Sequence, residues 1–95
     1  MLTNYFVYIT TKPAKTVLYT GVTNDIKRRM KEHFLNRGNE KTFAGRFYCY
    51  NLVYYEEYFD VRQAIEREKE IKDFSREKKV EIIISINPNW HFYRF

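Results

Sequence analysis

One stretch predicts a strand, a tight turn and a helix in direct succession: YTGVTNDIKRRMKEH, residues 19–33. The predicted strand ends at Gly21, where the missing side chain permits a tight turn and the close approach of another group. Thr23 or Asn24 can cap the following helix, and Asp25 would then lie at the positive end of the helix dipole. A strand is therefore expected to lead directly into a helix.

The helix that begins in this stretch has an apolar face. Ile26, Met30 and Phe34 recur at four-residue spacing, which places them on one side of the helix. Arg29 and His33 lie one turn apart at the edge of that face, where a guanidinium group can reach phosphate oxygens. Both are also common boundary residues with a packed stem and a polar end in water. Neither indicates a site by itself.

Working outward, three runs rich in β-branched and aromatic residues predict strands, at residues 5–10, 17–21 and 52–59. The polar residues 11–16, which include Pro13, suit a hairpin loop between the first two strands. Glu56 and Glu57 are expected to mark the exposed end of the third strand. Residues 36–46 are expected to form a basic loop that leads to this strand.

The C-terminal half predicts two more helices. Asp60 caps the first, which is expected to run to about Phe74, and Ser75 caps the second, which ends at Asn87-Pro88. Residues 82–84 are three isoleucines that also suit a strand. The predicted order of elements is strand, strand, helix, strand, helix, helix.

Glu68 breaks the pattern of the second helix. It falls in the middle of an apolar stripe that is made by Val61, Ala64, Ile65 and Ile71. An ionised carboxylate on such a stripe is costly unless a cation or several hydrogen-bond donors meet it. Glu68 is either a metal ligand or catalytic group, or a partly buried carboxylate paired with a base such as Lys72 one turn later.

Composition predicts a single domain over residues 1–95 with an affinity for polyanions. Aromatic residues make up 19% of the chain, enough to build a compact core at this length. The net charge is +5, and residues 1–51 hold nine Lys or Arg against three Asp or Glu. Residues 52–95 hold eight against nine. A basic half beside a neutral half suggests a face for nucleic acid, although modest positive charge is also common in small proteins.

Several other locations and chemistries are not indicated. The single Cys49 fits a reducing compartment and gives no reason to expect a disulfide-linked partner. There is no signal-peptide pattern and no run of roughly 20 apolar residues, so a soluble cytoplasmic protein without a membrane partner is expected. A glycine-rich phosphate loop, a Gly-x-Ser-x-Gly nucleophile and a structural zinc site are not indicated either. The available catalytic side chains are Tyr, Arg, His and Glu.

Two tyrosine motifs combine with the helix and with Glu68 in a particular order. The motifs, in chain order, are Phe6-Val7-Tyr8, Tyr19-Thr20-Gly21, the helix with Arg29 and His33, Arg67-Glu68-Lys69-Glu70-Ile71-Lys72, and Asn87-Pro88-Asn89-Trp90. This order resembles the GIY-YIG nuclease family, in particular its small stand-alone branch. It is also similar to the N-terminal incision domain of bacterial excision-repair nucleases. The likeness runs from about Tyr5 to Trp90.

The sequence departs from the motifs of that family at two positions. Phe6 replaces the glycine of the first motif and Thr20 replaces its counterpart in the second. Neither position supplies catalytic chemistry in the family, so the departures bear on backbone placement. Of two adjacent arginines, the motif and the helix face select Arg29. Gly21 and Asn87 are assigned as residues that support the site.

The resemblance implies an α+β fold in which a three-stranded, mainly antiparallel sheet is flanked by helices. It also implies a metal-dependent endonuclease that hydrolyses phosphodiester bonds in DNA. Glu68 would bind one divalent ion, Mg²⁺ or Mn²⁺, and Arg29 would stabilise charge on the leaving oxygen. Tyr8 would act as general base, with a pKa lowered by Arg29 and the metal. Tyr19 would hydrogen-bond into the same network, and His33 would orient Tyr8 or contact the phosphate.

Basic residues of the first half are expected to contact the DNA backbone: Lys27, Arg28, Lys31, Arg37, Lys41 and Arg46. Such contacts position a duplex without reading its sequence, and they weaken with salt. Low intrinsic specificity is therefore expected, with a nick or a structured junction as the target. RNA as a substrate, and repair or recombination as the pathway, are left open.

Two other functions compete with this interpretation. The first is a catalytically silent nucleic-acid-binding domain of the same fold, which shares the basic half but has no need of Glu68 on an apolar face. The second is a protein-interaction module that uses an aromatic C-terminal end, made by Trp90, Phe92, Tyr93 and Phe95.

Overall fold

A computed structural model describes residues 4–94, which form three strands and four helices. The elements are β1 (Tyr5–Thr11), β2 (Leu18–Thr23), α1 (Ile26–Leu35), α2 (Phe43–Arg46), β3 (Asn51–Tyr58), α3 (Val61–Asp73) and α4 (Arg76–Ile86). The strands form one antiparallel sheet in the order β2-β1-β3. The predicted α+β fold, a three-stranded antiparallel sheet flanked by helices, is confirmed.

The strand register places both tyrosine motifs on one face of the sheet. Tyr8 pairs with Gly21, and Thr10 pairs with Tyr19. Paired residues point to the same face of a sheet, as do residues two apart in one strand. Tyr8 and Tyr19 therefore share a face, on which Gly21 lies directly opposite Tyr8.

The two faces of the sheet carry different clusters. The larger core lies against α3 and α4, and its buried members are Val7, Ile9, Val53, Tyr54, Ala64, Ile71 and Ile83. The smaller cluster consists of Tyr8, Ile26 and Leu52, with Phe6, Tyr19, Met30 and Tyr93 packed around it. Because Ile26 and Met30 belong to α1, this helix covers the face that carries Tyr8.

Side-chain caps fix where the helices begin. Asp25 caps α1, since its carboxylate accepts a hydrogen bond from the backbone N–H of Arg28 at 3.0 Å. The prediction that one of the two preceding residues is the cap is therefore wrong. Thr23 instead accepts from the Asp25 N–H at 3.1 Å, which shapes the turn before the helix. The predicted caps Asp60 and Ser75 are confirmed for α3 and α4.

The region predicted as a basic loop, residues 36–46, contains a short helix. Thr42 accepts a hydrogen bond from the Gly45 N–H at 3.0 Å and caps α2. Threonine is a common helix cap, and Thr42 was the signal in the sequence for this short helix. The isoleucines at 82–84 lie within α4 and not in a strand.

The apolar face of α1 is narrower than predicted. Ile26 is buried and Met30 is partly buried against the sheet, but Phe34 is 46% exposed. Phe34 lies in the last turn, where it meets the edge of the Tyr50 ring at a centroid distance of 5.3 Å. The spacing gave the right side of the helix, but the sheet does not extend far enough to cover Phe34.

The apolar stripe of α3 is narrower in the same way. Ala64 and Ile71 are fully buried, whereas Val61 and Ile65 are 41% and 39% exposed. Ala64 and Ile71 therefore mark the centre of the side of α3 that packs on the sheet. Glu68 lies close to this centre. Its side chain is only 16% exposed, as the pattern predicted.

The C-terminal segment packs onto the sheet. Trp90 and Phe92 lie against the larger core and Tyr93 lies against the smaller cluster. The N–H of Tyr93 also donates to the Leu52 carbonyl at 2.8 Å. Three of the residues assigned to the aromatic interaction surface are therefore partly buried against the rest of the fold, and Phe95 lies outside the described residues. Within residues 4–94, none of the helices has the length and apolar character needed to cross a membrane.

Candidate active site

Tyr8 is buried at the centre of the sheet because the residue opposite it has no side chain. Tyr8 is 1% exposed, and its ring lies directly against the backbone of Gly21. A Cβ at position 21 would lie 2.5 Å from Cζ of Tyr8 and would also overlap its hydroxyl oxygen. Gly21 is thus required for the observed position of Tyr8, which fits its predicted role as a supporting residue.

The two departures from the expected motifs leave this arrangement in place. Phe6 is partly buried and packs against the cluster around Tyr8. Thr20 is buried, and its hydroxyl has no hydrogen-bond partner among the described residues. Tyr8 still pairs directly with Gly21. The substitutions therefore do not displace the backbone that carries the tyrosine.

Two side chains of α1 meet the hydroxyl of Tyr8. Nε2 of His33 lies 2.8 Å from that oxygen, and Nε of Arg29 donates a hydrogen bond to it at 3.3 Å. His33 is 5% exposed, so its contact with Tyr8 lies out of water. Arg29 and His33 are one helical turn apart, which is the spacing that lets both reach the same atom. The sequence prediction that His33 orients Tyr8 agrees with this geometry.

Burial dominates the electrostatics of this cluster. Burial raises the pKa of Tyr8 to about 12, because the lowering effect of the Arg29 hydrogen bond and charge is smaller. Burial, and then the Arg29 charge, lowers the pKa of His33 to about 4. Arg29 does lower the pKa of Tyr8, as predicted, but burial raises it by more. At neutral pH the resting cluster contains a protonated Tyr8 and an uncharged His33.

Glu32 holds Arg29 in position, a role that the sequence prediction missed. Its Oε1 accepts a hydrogen bond from Nη1 of Arg29 at 3.0 Å. Burial lowers the pKa of Arg29, but the bonds to Tyr8 and Glu32 outweigh it and the pKa is raised. Oε2 of Glu32 also lies 3.7 Å from Nε of the exposed Arg28. The spacing of three residues between Arg29 and Glu32 was the available signal.

Tyr19 joins the cluster through its ring. The ring meets His33 edge-on at a centroid distance of 5.4 Å and lies 6.2 Å from the nearly parallel ring of Phe43. Tyr19, Arg29, His33 and Phe43 line a small cavity of about 140 Å³, and two of these residues, Arg29 and His33, contact the Tyr8 hydroxyl. Tyr19 forms part of the wall of this cavity. Within residues 4–94, its hydroxyl does not make the hydrogen bond to the cluster that was predicted.

Glu68 lies on α3 and acts on the cluster through its charge. Its carboxylate raises the pKa of Tyr8, by less than burial and the Tyr19 charge do. Oε2 of Glu68 also lies 3.4 Å from Nζ of Lys72, whose side chain is 50% exposed. Of the two alternatives that the sequence left open for Glu68, the structure contains the ion pair with Lys72, and the role as a metal ligand or catalytic group stays a prediction.

The residues around Glu68 fit a hard divalent cation that keeps most of its water. A magnesium ion binds through one or two carboxylates plus water and substrate phosphates. Within residues 4–94, no three His, Cys, Asp or Glu side chains are grouped so that they could enclose a metal ion. Glu68 offers one shielded oxygen ligand, and its partner Lys72 is largely in solvent, where an ion pair is weak.

A second network, also missed by the sequence prediction, attaches α3 to the sheet. Nε and Nη2 of Arg67 donate to the Glu56 carboxylate at 2.9 and 3.0 Å, and the Tyr58 hydroxyl donates to it at 2.6 Å. Burial raises the pKa of Glu56, but the Arg67 and tyrosine hydrogen bonds outweigh it and the pKa is lowered. The prediction that Glu56 marks an exposed end is wrong. Since Arg67 precedes Glu68, the network fixes the rotation of the helix that carries Glu68.

Asn87 supports the fold at some distance from this cluster. It is 4% exposed, and its amide donates to the carbonyls of Val53 and His91 at 2.8 and 2.9 Å. Its Oδ1 accepts from the His91 N–H at 3.0 Å. These bonds connect the end of α4 to β3 and to the C-terminal segment, so any effect of Asn87 on the site is indirect.

The six basic residues predicted to contact DNA are all on the surface. Lys27, Arg28 and Lys31 lie along α1, and Arg37, Lys41 and Arg46 lie in or beside the segment that contains α2. The second group lies beside residues 42–45, which line the cavity. Their contact with DNA stays a prediction.

Comparison with known proteins places this arrangement in a family. A family model described as the GIY-YIG catalytic domain matches residues 4–81. UPF0213 proteins of Staphylococcus aureus strains N315 and Mu50 are each 38% identical over 80 residues, which cover 84% of this chain and 94% of theirs. The solution NMR structure of a UPF0213 protein from Bacillus halodurans is 31% identical with a TM-score of 0.57 and covers 92% of this chain and 89% of its own. The chain therefore belongs to the GIY-YIG family.

Proposed function

We propose that this protein is an endonuclease that hydrolyses phosphodiester bonds in DNA, with residues 1–95 acting as one nuclease domain. The observation that carries the proposal is the position of the Tyr8 hydroxyl, which lies 2.8 Å from His33 and 3.3 Å from Arg29. Glu68 adds a shielded carboxylate, on α3, whose charge acts on Tyr8. A binding domain has no need of such a group, whereas a phosphodiesterase needs a proton acceptor, a cation and a metal ligand together.

The high pKa of Tyr8 favours a relay over a free phenolate. A water proton passes to the Tyr8 oxygen as the proton of that hydroxyl passes to Nε2 of His33. His33 can accept it because its lowered pKa keeps the ring uncharged in the resting enzyme. The hydroxide that forms attacks phosphorus, and the bond from phosphorus to the 3′ oxygen breaks. Tyr8 thus acts as general base through His33.

Arg29 is placed to stabilise the charge that develops on the phosphate. Its guanidinium group is held on one side by Tyr8 and on the other by Glu32, so little reorganisation is needed when substrate binds. A divalent ion bound through Glu68, Mg²⁺ or alternatively Mn²⁺, would neutralise a phosphate oxygen and the departing 3′ oxygen. Tyr19 closes the cavity beside these groups and excludes bulk water from the relay.

The exposed cations of α1 and of the segment around α2 suit the backbone of a duplex. Six exposed cations contribute charge without a device for reading bases in the major groove. We therefore expect low sequence specificity, a preference for nicked or branched DNA, and a cytoplasmic role in repair or recombination. Strong dependence of binding on salt follows from the same contacts.

One observation favours a second candidate function, a nucleic-acid-binding domain without activity. Lys72 lies 3.4 Å from the Glu68 carboxylate and competes with a metal ion for it. If that pair persisted in solution, the basic surface would bind DNA and no cleavage would follow. The exposure of Lys72 argues against a persistent pair, because exposed ion pairs contribute about 0–1 kcal/mol.

Incubation with supercoiled plasmid separates the two functions. At low salt, the purified protein should nick the plasmid with Mg²⁺ or Mn²⁺ and should leave it intact with EDTA. Replacing Glu68 by Ala should abolish nicking. Binding without nicking on plasmid, branched and single-stranded substrates would establish the second function instead.

A further inference from the structure

A wide groove lies on the opposite side of α1 from the candidate active site. Arg29 and His33 face the cavity beside Tyr8, whereas Lys27, Lys31 and Phe34 line the groove. The other walls of the groove come from the start of β3 and from the C-terminal segment. Its volume of about 590 Å³ lies within the range of ligand-binding clefts, roughly 300–1,000 Å³.

The charge of the groove is of one sign. Lys27 and Lys31 lie on one wall and Arg94 lies on the other, and no acidic residue lines the groove within the described part of the chain. Three cations that converge on one cleft favour a polyanion over a neutral ligand. They also disfavour the groove as a binding site for a basic peptide or a second copy of this basic chain.

The groove also presents aromatic rings. Phe34, Tyr50, Phe92 and Tyr93 line it, and Phe34 is 46% exposed although its spacing on α1 predicts a core position. The guanidinium group of Arg37 lies 3.8 Å from the centre of the Phe34 ring. Arginine stacked on an aromatic ring is a combination that also stacks on nucleobases.

A buried polar group in the groove has no partner. Nδ2 of Asn51 is shielded from solvent and makes no hydrogen bond among the described residues, and Asn51 lines the groove between Tyr50 and Leu52. An unpartnered donor at the groove wall can bond an acceptor on a base edge once a side chain in front of it moves aside. The three cations, the exposed ring of Phe34 and the partly buried rings beside it together match a strand whose bases are unstacked.

We propose that this groove binds unpaired nucleotides of a branched DNA while the neighbouring duplex lies in the active site. The inference rests on the proposed function and adds a separate binding site for the unpaired strand. One helix with a diameter of about 10 Å separates the two sites, so α1 would lie between the two strands where they diverge. Sites that hold single strands without sequence preference combine a positive groove with aromatic stacking in this manner.

Fluorescence anisotropy with a cleavage-deficient Glu68→Gln protein tests the proposal independently of catalysis. The probes are a labelled duplex and the same duplex with an unpaired oligothymidine arm. The arm should raise the affinity by about 10-fold or more, since stacking on one aromatic ring is worth roughly that factor. Phe34→Ala in this background should remove the gain and leave the affinity for the plain duplex unchanged.

Leu35→Ala is the matched control, because Leu35 is the next residue of α1, is 68% exposed and lies outside the groove. This variant should keep the gain from the arm. An arm that adds no affinity, or a Phe34→Ala variant that weakens both probes equally, would overturn the proposal. An oligouridine arm in place of the oligothymidine arm shows whether the groove distinguishes DNA from RNA, and tighter binding of the RNA arm would contradict a DNA substrate.

A parallel assay keeps the inference distinct from the proposed nuclease activity. If the wild type fails to cleave but Glu68→Gln still discriminates the armed duplex through Phe34, the groove is established and the nuclease proposal fails. If the wild type cleaves branched and plain duplexes equally and Phe34→Ala changes neither rate, the nuclease proposal stands and the groove proposal fails.

Discussion

The ring of Tyr8 lies against the backbone of Gly21 so closely that a Cβ at position 21 would be 2.5 Å from Cζ of the tyrosine. The contact joins the two motifs that the sequence places in separate strands. It also explains why Tyr8 can be 1% exposed and still present its hydroxyl to Arg29 and His33. The absence of a side chain at position 21 thus leaves the space that the Tyr8 ring occupies.

Gly21→Ala should therefore act on Tyr8 rather than on the turn. The added methyl group forces the ring away from His33, so cleavage should fall by more than about 100-fold, the usual contribution of a positioned proton acceptor. Overpacking should lower the free energy of unfolding by about 1–3 kcal/mol. Urea unfolding and cleavage rates measure both effects. Thr20→Ala, which removes a buried hydroxyl without a partner in the adjacent position, should retain activity; equal loss in both variants would point to general damage of β2.

Tyr8→Phe removes the proposed acceptor of the water proton and keeps the ring. Cleavage should drop by about 10²–10⁴-fold, while the affinity for DNA stays within about two-fold. Rapid-quench experiments measure the cleavage rate, and fluorescence anisotropy on the same duplex measures the affinity. Tyr5→Phe is the matched control in the same strand, because Tyr5 packs against the opposite core and should not affect the rate. A Tyr8→Phe protein that cleaves normally would remove Tyr8 from the mechanism.

At low pH, the fall in the cleavage rate should follow the protonation of His33. The relay needs an uncharged ring, and the folded-state pKa of His33 is lowered to about 4. Activity should thus decline with a midpoint near pH 4 and not near 6.5, the ordinary value for histidine. A midpoint at 6.5 that disappears in His33→Gln would contradict the burial of this ring.

His33 should also link stability to pH. Because its pKa is lowered on folding, the unfolded chain binds a proton between pH 6.5 and about pH 4 that the folded chain does not. Stability is therefore retained above pH 6.5 and is lost as the pH falls through this window, by at most about 1.4 kcal/mol per pH unit. Urea unfolding at pH 7 and pH 5 should show a smaller loss for His33→Gln than for wild type. His91→Gln, at an exposed position, should behave as wild type.

The sequence predicted the fold and the members of the site better than their interactions. The order of the longer elements along the chain, the caps of α3 and α4 and the buried side of Glu68 follow from local patterns, because the strand period, the capping preferences and the helix angle are properties of short segments. The contacts of Glu32 with Arg29 and of Glu56 with Arg67 do not follow so directly. The residues next to a glutamate in the sequence do not show whether it is exposed or hydrogen-bonded to an arginine.

The electrostatics could not be predicted for a related reason. The sequence placed Arg29 near Tyr8 and implied a lowered tyrosine pKa, but the depth of burial decides the sign of the shift. The half-exposed positions of Phe34 and Ile65 depend in the same way on where the sheet ends beneath each helix. These quantities are set by packing across the whole chain.

Glu56→Gln should loosen the attachment of α3 to the sheet. The Arg67–Glu56 pair is largely shielded, with side chains 26% and 17% exposed, and hydrogen bonds to charged groups contribute about 1.5–3 kcal/mol. We expect the free energy of unfolding to fall by about that amount, together with a weaker apparent affinity for Mg²⁺ because Glu68 is less well oriented. Urea unfolding and a Mg²⁺ titration of the cleavage rate measure the two effects.

Glu70→Gln provides the matched control for that prediction. Glu70 pairs with the same Arg67, but its side chain is 57% exposed, so its loss should cost less than about 1 kcal/mol. The Mg²⁺ dependence of Glu70→Gln should match wild type. If both glutamine variants lose stability equally, the pair with Glu56 has no special role in holding α3.

The most direct test of the account is single-turnover cleavage of an end-labelled duplex by wild type, Glu68→Gln and Glu66→Gln across a Mg²⁺ titration. Glu66 lies on the same helix at an exposed position and controls for the loss of one negative charge. The account predicts Mg²⁺-dependent cleavage by wild type and Glu66→Gln, and loss of at least about 100-fold in Glu68→Gln with unchanged DNA affinity. Equal cleavage by Glu68→Gln and Glu66→Gln, or the absence of cleavage by all three proteins, would contradict it.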